Sequence, residues 1–110
     1  MKKFVSNFLN SINGLKISLK EHSFIAEILG GIVLIPYLIF SNIDNTNKII
    51  IISIYFILLA FEIINTAIEK LSDKITNEID NDIKVIKDLA SASVFLILIL
   101  LIIILIYSHI

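Results

Sequence analysis

The chain has 110 residues, 57% of them apolar and only 17% charged, with a formal net charge of −1. Twenty-eight residues are isoleucine, all nine cations are lysine, and cysteine and tryptophan are absent. A soluble domain carries about 25% charged residues, so this shortfall and a mean hydropathy of +0.96 point to a membrane protein.

Several function classes fall at once. Without cysteine there are no disulfides, thiolate zinc sites, iron–sulfur clusters or cysteine nucleophiles. Three glycines, two of them adjacent, cannot build a GxGxxG loop, and no GxxxxGK[ST] occurs. The near-neutral charge leaves no basic footprint for nucleic acid, so no nucleic-acid partner is expected.

Residues 2–20 form the first predicted element. Phe4, Val5, Phe8, Leu9, Ile12, Leu15 and Leu19 fall on one arc at about 100° per residue, whereas Lys3, Ser6, Asn7, Asn10 and Asn13 fall elsewhere. This pattern fits an amphipathic helix lying in the membrane interface. A signal peptide needs a continuous apolar region after its lysines, and none follows these. A short soluble packing helix is the blander alternative.

Three spans follow. The apolar run 28–40 holds only thirteen residues, so the first span must start near Ser23 and carry Glu27 with it, giving 23–41. Pro36 is tolerable there where neighbours satisfy the freed carbonyl. The second span, 49–69, is interrupted by Ser53, Glu62, Asn65 and Thr66. The third, 89–107, contains thirteen unbroken apolar residues from 94 to 106. Each can cross a hydrocarbon core of about 30 Å. The expected fold class is an all-α membrane protein: an N-terminal amphipathic interface helix plus three transmembrane helices in a single domain, 1–110.

Lysines set the orientation. Lys2, Lys3, Lys16 and Lys20 precede the first span, and Lys70, Lys74, Lys84 and Lys87 lie in the 70–88 loop. Only Lys48 lies on the other side. The positive-inside rule places the N-terminus and the 70–88 loop in the cytoplasm.

An ionisable residue inside a span is a functional candidate, because burying its charge in hydrocarbon is costly. Glu62, Asn65 and Glu69 stand at offsets of three and seven, within a sector of about 60° on one helix face. Asp73 extends the row. Glu62 lies about 10 Å deeper than Glu69. Interhelical hydrogen bonding is the structural alternative for this stripe. Glu21 and Glu27 flank the cytoplasmic entrance of the first span, and Lys87 and Asp88 the start of the third. Small residues Ala90, Ser91, Ala92 and Ser93 follow and permit close helix approach.

Carboxylates and a lysine gathered where ATP and Mg²⁺ are available suit phosphoryl transfer. Carboxylates hold hard Mg²⁺ ions, and a separate carboxylate can accept the proton of an attacking hydroxyl. The same acids would also suit a cation pathway, and a pore-forming protein or a binding-only membrane subunit would share the three-span layout. Other motifs fall away. Asp80-Asn81-Asp82 begins like a calcium loop, but Lys84 takes the fifth position and no glycine the sixth. His22 and His109 are expected on opposite faces of the membrane, which excludes a shared metal within one subunit.

The stretch Glu62-Ile-Ile-Asn-Thr-Ala-Ile-Glu69-Lys-Leu-Ser-Asp73 resembles the signature E-x-x-N-[ST]-A-[IL]-E-x-x-x-D of the bacterial integral-membrane diacylglycerol kinase family. Lys87-Asp88-Leu-Ala-Ser-Ala-Ser-Val94 resembles its second block. Asn13-Gly-Leu-Lys16 and Glu21-His-Ser-Phe-Ile-Ala-Glu27 resemble its interface helix and first-span entrance. Departures are Ser72, Lys74, Ile79 and Ile25, and a stretch from Gly14 to Glu21 one residue shorter than usual.

The resemblance implies a homotrimeric kinase whose sites are shared between subunits, in the bacterial cytoplasmic (inner) membrane. It implies Glu62 as the base that activates the lipid hydroxyl, and Glu21 and Glu69 as Mg²⁺-binding glutamates that also contact ATP. Lys3, Glu78, Asp80, Lys87 and Asp88 match the remaining ATP-contacting positions. Asn65, Ser91 and Glu27, with Glu62, match the lipid side. The expected reaction moves the γ-phosphate of ATP to diacylglycerol and gives phosphatidic acid. The alternative is an undecaprenol kinase, whose branch usually shows an E-R-N-F-R-x-H-like stretch at residues 21–27. Glu27 and the closing Tyr107-Ser-His109 resemble the diacylglycerol branch more closely.

Overall fold

The computed structural model describes residues 1–110 and consists of four helices in chain order: α1 (Lys2–Ser18), α2 (His22–Phe40), α3 (Asn45–Ile75) and α4 (Asn81–Tyr107). No strand is present. α2, α3 and α4 are each long and apolar enough to cross a membrane.

Helix ends follow local chemistry. α1 closes through tightened turns in which Lys20 N donates to the Ile17 carbonyl and Glu21 N to the Ser18 carbonyl, both at 3.0 Å. Glu21 then turns extended, at φ −93° and ψ 130°, and α2 begins. At the far end of α2, Ser41 Oγ donates to the Leu38 carbonyl at 3.1 Å. Asp44 starts α3 by accepting from Thr46 N at 3.2 Å. Such side-chain caps satisfy amides that have no intrahelical acceptor.

α3 runs unbroken for 31 residues, a length of about 46 Å. That exceeds a hydrocarbon core of about 30 Å, so a helix spanning from its N-terminal end projects its last turns beyond the hydrocarbon. The segment 70–88, expected as a loop, is therefore helical at both ends, and only 76–80 links α3 to α4. No glycine or proline interrupts 70–75, and Asp80 starts the next helix as soon as it is reached.

α3 packs along α4, and α2 packs on α3. The apolar core lies toward the end of α2 and the start of α3, where Leu38 and Ile51 are fully buried with Ile43, Ile54, Leu58 and Leu101 around them. Only 15 of the 110 residues are buried, and large side chains such as Phe40, Phe56 and Leu96 face outward. An apolar surface this extensive needs lipid or other subunits around it. α1 likewise leaves Phe4, Phe8, Leu9 and Leu15 exposed, as a helix at a membrane interface does.

At Gly31 the missing side chain matters. The ring of Tyr55 occupies the space a Cβ would take, which lets α2 and α3 approach closely. At the opposite end from the acids, Tyr37 and His109 join α2 to the residues after α4. Their rings stack with centroids 5.8 Å apart, and the Tyr37 hydroxyl hydrogen-bonds His109 Nε2.

Candidate active site

Glu62 and Asn65 lie on the face of α3 that packs inward and are 6% and 8% exposed, respectively. The helical offsets explain this: Tyr55, Leu58, Glu62 and Asn65 recur every three or four residues, so one stripe buries all four. Asn65 Nδ2 donates to Glu69 Oε1 at 3.1 Å, linking the buried part of the stripe to its exposed end.

From α2, Glu27 brings its carboxyl group within hydrogen-bonding range of Glu62. Two acceptors are buried here with no donor: Glu27 Oε2 and Asn65 Oδ1. An unsatisfied polar atom in a low-dielectric interior is costly. The pair therefore offers a ready place for a hydroxyl that donates. Glu27 also borders an apolar cleft of about 370 Å³ among α2, α3 and α4, lined by Leu34, Leu58, Leu98 and Leu101 among others.

Toward the projecting end of α3 the chemistry becomes ionic. Lys70 Nζ lies 3.3 Å from Glu21 Oε1, which brings Glu21 to the turn of α3 that carries Glu69. Lys87 Nζ on α4 lies 2.7 Å from Asp73 Oδ1 on α3. Lys84 Nζ lies 2.7 Å from Asp88 Oδ2, one turn along α4. These pairs are exposed enough that each contributes little to stability, so their arrangement is more informative than their strength. Between the end of α3 and the start of α4 lies a polar cavity of about 590 Å³, bordered by Asp73, Glu78, Asp80, Lys84 and Lys87.

The residues singled out by sequence thus separate into groups. Glu27, Glu62, Asn65 and Glu69 form one connected set, and Glu78, Asp80 and Lys87 border one cavity. Lys3 stays on the exposed surface of α1 with no acidic partner, and Ser91 lies exposed on α4 with no hydrogen bond to the Glu62 group. Asp88 is held by Lys84 rather than by Lys87. Asp73 and Lys70, absent from the predicted site residues, are the partners of Lys87 and Glu21. Asp73 continues the Glu62 row and had that signal; nothing in the sequence marks Lys70.

Asp80 has a structural task as well. Its Oδ1 accepts from Asp82 N at 2.9 Å and Ile83 N at 3.1 Å, capping α4. Asp80→Ala is expected to lower stability by about 0.5–2 kcal/mol, the usual cost of a lost cap. Asp80→Asn keeps the cap and removes the charge. A melting curve in detergent separates the capping task, and a nucleotide titration of Asp80→Asn reads any further one.

No three histidine, aspartate or glutamate side chains gather as a metal site within one chain. Mg²⁺ does not require such a cage, since it is commonly held by one or two carboxylates together with substrate phosphates. Glu21 and Glu69, hard oxygen donors at one end of the bundle, fit that mode of binding.

Fold and site together define a multi-pass membrane protein with a buried carboxylate group that opens onto acids and lysines at one end of its bundle. The chain belongs to the prokaryotic diacylglycerol kinase family, whose model matches residues 9–108. It is a lipid kinase of the diacylglycerol/undecaprenol kinase class. A comparison with curated proteins gave no match.

Proposed function

We propose that the protein is an ATP-dependent diacylglycerol kinase of the bacterial cytoplasmic membrane, acting as a homotrimer with shared sites. The observation that carries this reading is Glu62, buried within a span beside two acceptors that lack donors, Glu27 Oε2 and Asn65 Oδ1. A lipid hydroxyl brings a donor to this group of acceptors, and its hydrocarbon chain suits the apolar cleft that begins at Glu27.

In the proposed reaction the Glu62 carboxylate accepts the hydroxyl proton as the lipid oxygen attacks the γ-phosphorus. The bond from the γ-phosphorus to the β–γ bridging oxygen breaks, and ADP leaves. Glu27 and Asn65 border the hydroxyl beside Glu62, with Ser91 on the lipid side. Glu21 and Glu69 would hold Mg²⁺, which when bound neutralises charge on the phosphates. Lys3 and Lys87 offset phosphate charge, and Glu78, Asp80 and Asp88 border the nucleotide. The N-terminus and the 70–88 segment face the cytoplasm, where ATP is available.

Glu27 and the closing Tyr107-Ser-His109, which resemble the diacylglycerol branch more closely, favour diacylglycerol over undecaprenol. The test offers the purified protein labelled ATP with each lipid at equal mole fraction in one detergent. Faster transfer of the γ-phosphate to diacylglycerol is expected. Preference for undecaprenol would move the protein to that substrate, and transfer to neither by a folded preparation would defeat the proposal.

A further inference from the structure

Tyr55 lies on the same buried stripe of α3 as Glu62, two turns earlier, and is 6% exposed. Its hydroxyl donates to the backbone carbonyl of Glu27 at 2.8 Å, a side-chain hydrogen bond that joins α2 to α3. A helical carbonyl has two lone pairs, so it can take this donor besides its own helical N–H. The ring sits over Gly31, one turn beyond Glu27, in space that any other residue would fill. Two features on different helices, a glycine and a tyrosine, thus converge on the residue whose side chain meets Glu62.

Packing alone would not require the hydroxyl. A phenylalanine fills the same volume, and a buried hydroxyl carries a desolvation cost unless it is bonded. What the bond adds is direction, because it fixes the height and rotation of α2 at the backbone of Glu27. A shift of about 1 Å in an orienting group is enough to slow a reaction markedly. Glu27 Oε2 has no donor, and the carboxyl group lies within hydrogen-bonding range of Glu62.

We infer that Tyr55 is a positioning residue, whose hydroxyl bond to the Glu27 carbonyl, seated over Gly31, sets the Glu27 side chain against Glu62 for the phosphoryl acceptor. This rests on the role given to the Glu27–Glu62 pair above. Tyr55 touches no reacting atom and acts through Glu27.

Tyr55→Phe keeps the ring over Gly31 and removes only the hydroxyl. Its kcat is expected to fall about tenfold, the scale of one hydrogen bond, with the KM for ATP and the detergent melting temperature near their native values. Gly31→Ala with Tyr55→Val restores room between the helices without the hydroxyl, and should fold well yet keep the same loss in kcat. In a Glu27→Gln background, Tyr55→Phe should bring no further loss. Native kcat in Tyr55→Phe overturns the inference, as does full recovery of kcat in the Gly31→Ala, Tyr55→Val protein. An undiminished tenfold loss in the Glu27→Gln background overturns the positioning role alone. Native activity in Glu27→Gln itself instead overturns the role assigned to Glu27 in the proposed reaction, and the inference with it.

Discussion

Glu62→Gln is expected to lower turnover by about 10²–10⁴-fold, the usual cost of losing a general base. Glutamine keeps the volume of the side chain in its 6%-exposed site. Its amide also donates, so it gives the Glu27 carboxyl group a hydrogen-bond partner that a carboxylate cannot. Stability and assembly should therefore persist while proton acceptance is lost. Steady-state transfer of phosphate from ATP to lipid, with a size measurement on the same preparation, checks both halves. Near-native turnover in a folded Glu62→Gln protein would remove Glu62 from the role of base.

The second large effect concerns sharing between subunits. A single chain leaves Glu69 and Asp73 exposed at the end of the acidic stripe and most of its apolar surface uncovered. Packing that face against another copy would cover the apolar surface and bring the acids of one subunit beside its neighbour. Glu62→Gln and Lys87→Ala should each be nearly inactive alone. If a site takes Glu62 from one subunit and Lys87 from its neighbour, an equal mixture of the two variants restores about one site in four by random assembly. Wild type mixed equally with a chain bearing both changes should also keep about one site in four. Sites contained within one subunit predict a different pair of results: no recovery in the first mixture, and about half the sites active in the second. Reassembly from denatured, separately tagged chains distinguishes the two patterns.

The spans and the amphipathic first helix were legible before any coordinates, because apolar periodicity is a property of neighbouring residues. The same holds for the row Glu62, Asn65 and Glu69, whose spacing alone places it on one helix face. The hydrogen bond between Asn65 and Glu69 is such an i to i+4 contact. Glu27 reads from hydropathy as an acid inside a span, and only the family resemblance groups it with Glu62. Helix length departs from the membrane pattern: hydropathy marks where lipid ends, whereas α3 continues to Ile75 because nothing there breaks it.

The number of helices, their amphipathic faces and the acids that had to be explained therefore follow from residues close together along the chain. Helix packing sets which groups meet: Lys70 with Glu21, Lys87 with Asp73, and the Tyr55 hydroxyl with the Glu27 carbonyl. Asp80 goes to the cap of α4. The difference is one of range. Helix formation and the burial of a stripe depend on residues a few positions apart, but the partner of a charge or hydroxyl depends on how two helices far apart in sequence are rotated and staggered. At Gly31 a single absent methyl group sets how closely α2 approaches α3, and a one-residue pattern of that kind is visible only once Tyr55 is seen lying over it.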